Sequence, residues 1–412
     1  MPSKLTNVIP KFSARLTFAH LSKKSAAAYV AKYRAQLRAQ PPSKKMPPFE
    51  LPIRVQTHTI APHFAATGGE IVAHADAGED SFFCAANRYN AIFGVADGVG
   101  GWNESGIDPS VFARTLTNYC AKVAASEWLL HETDAVEAYR CIALAYSHMR
   151  ADPHDLYGSS TITAATINMV NGALDVAQIG DSNYAIFDVA PGSSAPVTAR
   201  YVSPEHQHKF NMPFQLTGKF PPPSRHSRGR SQRVAPPPPG GAFEPQNLAA
   251  NPANYKARAV GASSADGAAA RNDFDFSDVA AIGLDTPNDA VTGHFDVGPS
   301  TPNGATVVLL ATDGLFDNVF NDEILAVLAH SINEQEQCAY QLVQASCLNY
   351  LRSDLSSPFS ERAKSAGYSF NGGKPDDVTL VLAVITTNED AHCGSSDSGN
   401  DKVPPPFTKS RL

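Results

Sequence analysis

Four short apolar runs in this chain each end or begin on an aspartate. That placement constrains the fold more than any other feature. "AIFGVA" (91–96) runs into Asp97 and then into Gly98, Gly100 and Gly101. "ATVVLLAT" runs into Asp313, "ALDVAQIG" into Asp181, and "VTLVLAVI" follows directly on Asp376 and Asp377. Apolar runs of this length, bounded by turn residues, read as buried strands. A single Asp-Gly is an ordinary turn signal. Four strand ends that each carry a carboxylate are poorly explained as four unrelated turns.

The first two strands fix a geometry. "SFFCAA" (81–86) and "AIFGVA" flank "NRYN", a loop centred between Arg88 and Tyr89. Asp80 and Asp97 are equidistant from that centre. Antiparallel pairing therefore sets them side by side at the open end, and Glu79 comes with Asp80. If the strands ending at Asp313 and beginning after Asp377 also pair antiparallel, their acids meet as well. Asp317 follows Asp313 by one helical turn. Like charges so close repel by several kcal/mol at intermediate dielectric. A fold keeps them only with cations or with protonated members. Hard oxygen ligands without His or Cys suit magnesium or manganese. Two such ions, about 3.5–4 Å apart, can bridge a hydroxide and aim it at phosphorus.

Charge is unevenly distributed along the 412 residues. Residues 1–49 hold ten Lys or Arg and no acid, whereas the remainder holds 23 basic and 40 acidic residues. An acidic body argues against a nucleic-acid surface. The acid-free N-terminus resembles a transit peptide. In it "FSARLTFAHL" and "AAAYVAKYRAQLRAQ" are expected as cationic amphipathic helices, with the mitochondrion as the address. The expected organisation is a targeting segment over 1–49, a catalytic domain over 50–388 and a disordered tail over 389–412. Within the domain, the Pro-, Ser- and Arg-rich stretch at about 219–272 is expected as a disordered insertion.

Other local signals place helices and turns. Asp108 and Pro109 mark the start of one helix. Val136, Tyr139, Ala143 and Tyr146 share a face of a second, expected from Thr133 to Met149. Asn171-Gly172 marks a hairpin. "NDEILAVLAHSI" and "EQCAYQLVQASCLNYL" read as two further helices. The six cysteines form no C-x-x-C pair and read as scattered buried thiols. The longest apolar runs fall far short of a membrane span.

The segments "GEDSFF", "GVADGVGGW", "GSSTITAATI", "AQIGDSNYAIF", "LLATDGLFDN" and "KPDDVTLVLAVI" occur in this order between about residues 70 and 388. The chain resembles the metal-dependent type 2C serine/threonine protein phosphatases. "DGVGGW", "GIDPS" and "EHQHKFNMPFQL" are most similar to the mitochondrial, Ptc-seven-type branch. The resemblance implies an α+β fold. Its architecture is a four-layer α-β-β-α sandwich of two mainly antiparallel sheets flanked by helices, with the metal site at one end.

By the same resemblance Asp97 bridges two Mg2+ or Mn2+ ions, and the Gly98 carbonyl is a ligand of one. Asp313 and Asp376 bind the other. Glu79 and Asp80 act through metal-bound waters. Asp181 and Asp317, with Asp313, hold a third, weaker ion, and Asp377 stands behind the ligands. The catalytic set is Asp97, Asp313 and Asp376, with a metal-bound hydroxide attacking phosphorus in line. Substrates are expected among phosphorylated proteins of the mitochondrial matrix, with no nucleic acid, no transmembrane segment and a monomeric chain. A pseudophosphatase serving as a phosphoprotein scaffold is the alternative.

Two positions depart from the family pattern. Val99 stands where many members carry a His after Asp-Gly, although the mitochondrial branch lacks that His too. Ala75 stands where they carry a phosphate-binding Arg, beside His74, a candidate substrate-binding residue. His206 and His208 are candidates for the unassigned general acid.

Overall fold

Residues 12–16 alternate strictly. Phe12, Ala14 and Leu16 are buried, while Ser13 and Arg15 between them are not. Period-two burial is the signature of a strand, and this segment is one. The computed structural model describes residues 10–39, 49–60, 72–73, 77–130, 135–190, 196–219, 258–259, 285–298 and 304–388.

Two six-stranded sheets organise these residues. The first holds β1 (Phe12–Leu21), β2 (Arg54–Ile60), β8 (Asn183–Val189), β9 (Val197–Val202), β11 (Ala305–Ala311) and β12 (Val378–Thr387), in the order β9-β8-β11-β12-β1-β2. The second holds β3 (Val72–Ala73), β4 (Asp80–Ala86), β5 (Asn90–Asp97), β6 (Ile162–Asn168), β7 (Ala173–Ile179) and β10 (Val291–Asp296), in the order β10-β7-β6-β5-β4-β3. Every neighbouring pair in both sheets is antiparallel.

The sheets pack face to face. Leu16, Phe18, Ile186, Leu310 and Val381 of the first meet Phe82, Phe93, Val95 and Ile167 of the second. Phe18 stacks on Phe82 with centroids 4.9 Å apart. Helices α1 (Lys23–Ala39), α4 (Asn321–Ser331) and α5 (Gln335–Tyr350) cover the outer face of the first sheet. There Ala26, Ile324, Leu328 and Leu342 bury against Leu309, Leu380 and Leu382. On the second sheet, α2 (Pro109–Leu130) and α3 (Ala138–Ala151) bury Phe112, Leu116 and Ile142 against Phe83, Ile92 and Ala164. The architecture is the expected four-layer α-β-β-α sandwich. A further short helix, α6 (Pro358–Ser365), is capped by Ser357, whose hydroxyl accepts from the Ser360 N–H.

Three sequence expectations need correction. "FSARLTFAHL" is strand β1, not a helix. Its ten residues pair one to one with β12, from Phe12 opposite Thr387 to Leu21 opposite Val378, and β2 pairs on its other side. The boundary expected at residue 49 therefore cuts through the fold. Composition suggested a leader because cations at Arg15, Lys23 and Lys24 mask a period-two core pattern. The second helix begins at Ala138 rather than Thr133, anchored where the Ala138 N–H donates to Asp175 Oδ1 at 2.6 Å.

Other expectations fall partly beyond the described residues. The expected insertion does so except for Lys219 and for Arg258–Ala259, which pair with Tyr368–Ser369. The tail from 389 does so entirely. Pro109 opens α2 behind Asp108, whose Oδ1 accepts from the Ser110 N–H at 3.0 Å. Cys84, Cys120, Cys141, Cys338 and Cys347 are buried free thiols. Among the described residues, no helix is long and apolar enough to cross a membrane.

Candidate functional site

Strand register carries the acids to one edge of the sandwich. Asp80 and Asp97 are direct cross-strand partners at the open end of the β4–β5 hairpin. On the facing sheet Ala311 pairs with Leu380, and the Thr312 N–H donates to the Thr379 carbonyl at 3.0 Å. One residue further, Asp313 opens a one-turn helix, Asp313–Phe316, beside Asp376 and Asp377 at the start of β12. Asp317 closes that turn, its N–H donating to the Asp313 carbonyl at 2.7 Å. Asp181 sits in the tight turn from β7 to β8, behind Gly180 with φ of 96°.

Glycines make these approaches possible. A Cβ on Gly98 would lie 2.5 Å from the Pro109 carbonyl oxygen and 2.8 Å from that of Glu79. A Cβ on Gly314 would overlap the Asp377 carbonyl oxygen, a backbone atom that cannot swing aside. Gly314→Ala is therefore expected to cost about 3 kcal/mol, read as a lowered urea midpoint. An unchanged midpoint would contradict the packing of the Asp313 turn on Asp377.

Electrostatics follows from the crowding. Burial pushes the carboxyls of Asp80, Asp97 and Asp313 well above the usual carboxylate range, and neighbouring acids push them further. For Asp97 those neighbours are Asp313, Asp80, Asp376 and Asp181. Burial likewise lifts Asp181 and Asp377 to about 6. For Asp376 burial acts upward, but the Lys23 and Lys374 ammonium groups outweigh it and leave the carboxyl below its usual range.

Among the described residues three cations thread the cluster. Lys374 Nζ pairs with Asp313, with Asp317 at 2.8 Å and with Asp376 at 3.3 Å. Lys23 Nζ reaches Glu79 at 2.9 Å and Asp376 at 3.4 Å. Arg362 pairs with Asp317 and, at 2.6 Å, with Glu205. Neutral donors hold the rest. Thr312 Oγ1 donates to Asp80 at 2.9 Å, Gln207 Nε2 to Asp181 at 2.9 Å and Asn103 Nδ2 to Glu79 at 2.8 Å.

The donor set fits a hard divalent cation. Among the described residues Asp313 Oδ1 is buried with no hydrogen-bond partner, an orphaned carboxyl oxygen that is costly to retain without a ligand. Among the described residues no three acidic, His or Cys side chains are grouped closely enough to hold a metal ion as they stand. Lys374 and Lys23 draw Asp313, Asp317 and Asp376 toward themselves, which satisfies the same charge demand.

All eight expected acids meet at this edge: Glu79, Asp80, Asp97, Asp181, Asp313, Asp317, Asp376 and Asp377. His74 lies outside the described residues. His206 and His208 clamp Phe214 between them, with ring centroids at 3.8 and 3.7 Å. His208 also pairs with Asp285 at 3.0 Å. Both histidines brace the loop from which Gln207 reaches Asp181. Lys23, Lys374, Arg362 and Glu205 were missed from sequence. Lys374 stands two residues before Asp376 and was legible by proximity; Lys23 was hidden inside the apparent leader.

No protein-family model matches the chain. It is 30% identical over 335 residues to "Protein phosphatase PTC7 homolog fig" of Drosophila pseudoobscura pseudoobscura, covering 79% of this chain and 78% of the relative. Against "Protein phosphatase PTC7 homolog" of Xenopus laevis the identity is 29% over 318 residues, covering 76% of this chain and 83% of the relative. Among solved structures, the chain is similar to the photosystem II phosphatase PBCP with a TM-score of 0.48 and 21% identity, covering 77% of this chain and 96% of that one.

Proposed function

We propose, from the premise that the chain belongs to the PTC7-type protein phosphatases, that the strand-end carboxylates are its catalytic metal centre. The chain is a protein serine/threonine phosphatase, and its substrates are phosphoproteins. The convergence of acids from both sheets, with the orphaned Asp313 Oδ1 among them, carries the assignment. Asp97, the Gly98 carbonyl, Asp313 and Asp376 would hold two ions, Mg2+ or Mn2+, with Glu79 and Asp80 acting through water. Asp181, Asp313 and Asp317 would hold a third, weaker one. Divalent cations there supply positive charge for phosphoryl oxygens and lower the pKa of water, the two requirements for hydrolysing a phosphomonoester.

The chain's own groups set the geometry. The Thr312 hydroxyl fixes Asp80 against rotation. Lys374 orients Asp313 and Asp376 from the β12 side, and Lys23 orients Glu79 and Asp376 from α1. Fixed charges placed before substrate arrives cost no reorganisation during reaction. A scaffold without turnover finds no support in a site that retains every carboxylate.

Matrix phosphoproteins are the proposed substrates, on the strength of the likeness to the PTC7 homologues. A mitochondrial address at the N-terminus must act without removal of β1. Import of the full chain carrying a C-terminal fluorescent reporter tests the location, and cytosolic fluorescence would refute it. For the activity, the test is hydrolysis of a phosphothreonine peptide by the full chain with Mn2+, with Mg2+ and with EDTA. Turnover with either metal and at least ~10³-fold loss in EDTA are expected. Turnover that survives EDTA would refute the metal centre.

A further inference from the structure

The loop before β12 carries a lysine that the fold holds from two sides. The Lys374 N–H donates to Asn318 Oδ1 at 2.8 Å, and its carbonyl accepts from Asn318 Nδ2 at 2.8 Å. Asn318 is buried, and the same amide donates to the Gly314 carbonyl at 2.9 Å. That carbonyl belongs to the one-turn helix Asp313–Phe316, which Asp317 closes. The backbone of Lys374 is thus fixed to the turn that carries Asp313 and Asp317. Gly373 permits the fit: a Cβ there would lie 2.4 Å from Tyr350 Cα and 2.6 Å from Asn318 Oδ1. Lys374 Nζ lies 5.2 Å from the ring centroid of Phe359 in α6, a distance at which a ring face attracts a cation.

An ammonium has three N–H donors and no acceptor. Around Lys374 Nζ stand three carboxylate oxygens, the Oδ2 atoms of Asp313, of Asp317 at 2.8 Å and of Asp376 at 3.3 Å. Donors and acceptors match one to one. The Lys374 charge acts on Asp181 as well. Arg362 takes the other oxygen of Asp317, Oδ1, so this chain's own cations hold both. Gln207 holds Asp181 Oδ2. Asp313 keeps Oδ1 without a partner. A divalent ion brought among Asp181, Asp313 and Asp317 would meet the repulsion of a positive charge already seated there.

We propose that the Lys374 ammonium fills, from within the chain, the position that a third divalent ion would otherwise take among Asp181, Asp313 and Asp317. The proposal rests on the metal-centre reading above and sets its ion count. Two ions bind firmly, and a third enters only by displacing Lys374. Lys374 is a positioning residue: it holds Asp313 Oδ2 and leaves Oδ1 for the ions shared with Asp97. A tethered ammonium does not dissociate, so this corner of the site stays neutralised whatever the ambient metal concentration.

Mn2+ binding to the full chain is titrated by calorimetry and by loss of the free-ion paramagnetic resonance signal, for the wild type, Lys374→Met and Lys374→Arg. The wild type is expected to bind two ions up to millimolar Mn2+. Lys374→Met, similar in length and uncharged, should bind a third at least ~10-fold more tightly than the wild type does. Lys374→Arg keeps the charge and should keep the count at two. In EDTA Lys374→Met should melt below the wild type, because three acids lose their cation. Mn2+ should then raise its melting temperature by more than it raises that of the wild type. Asp317→Asn decides the matter if Lys374→Met fails to fold. Its count should remain two, since Lys374 and Arg362 already hold Asp317. Three tight ions in the wild type, one of them lost in Asp317→Asn, would overturn the proposal. A folded Lys374→Met chain with unchanged ion number and affinity would do the same, as would equal weakening of every ion. Two bound ions without hydrolysis of a phosphothreonine peptide would sink the phosphatase reading and leave the ion count standing. No bound ion at all would sink the metal centre and the proposal together.

Discussion

Asp97→Asn is expected to lower kcat/KM at least ~10³-fold, about 4 kcal/mol of barrier, with the fold unharmed. The change is nearly isosteric. It removes one charge from a cluster in which burial and four neighbouring acids already hold the Asp97 carboxyl high. Deleting a charge from mutually repelling, buried groups relieves strain, so the melting temperature should hold or rise in EDTA. Asp313→Asn should lower turnover alike, but it also weakens the ion pair between Asp313 Oδ2 and Lys374 Nζ, so its melting temperature should fall. Peptide turnover and thermal unfolding on the same preparation separate the two effects. Full activity in either variant, with metal, would sink the site assignment. Collapse of the fold would instead mean that these carboxylates hold the structure together.

The second large effect concerns the N-terminus. A chain beginning at residue 50 lacks β1 and α1 and is expected not to fold. β1 lies between β12 and β2. Its removal opens β12 to solvent and strips Leu16 and Phe18 from the core between the sheets, at roughly 1.5–3 kcal/mol for each large side chain. Once ten lost cross-strand pairs are added, that sum is comparable with the whole stability of an ordinary domain, about 5–15 kcal/mol. The truncated chain should elute as aggregate or bind a hydrophobic dye, while a chain beginning at residue 10 should melt cooperatively. A well-folded 50–412 fragment would refute the role given to β1.

These two expectations mark where sequence was legible and where it was not. The Asp80–Asp97 pairing followed from loop arithmetic alone, because a tight hairpin leaves one register that buries both faces. The meeting of Asp313 with Asp376 and Asp377 followed from strand order, once antiparallel pairing was assumed. What resisted was anything set by distant sequence. Lys23 meets Glu79, 56 positions away, and Asp376, 353 away. Composition could not announce either contact. β1 was misread because the cationic content of its neighbourhood outweighed a clear alternation of apolar residues. The stacking of the two histidines of "EHQHKFN" on Phe214 has no signal in the sequence beyond spacing.

The place of β1 in its sheet also sets when the molecule can be completed. Its partner β12 runs from Val378 to Thr387, near the other end of the chain. A ribosome adding about 5–20 residues per second makes β12 roughly 20 to 70 s after β1. During that interval β1 has no strand to pair with on that side, and the first sheet cannot close. Contacts of such sequence separation slow folding and lengthen the exposure of unpaired edges. β1 and β12 are thus a seam, zipped last, and until then the β12 side of β1 is an unpaired edge open to wrong partners.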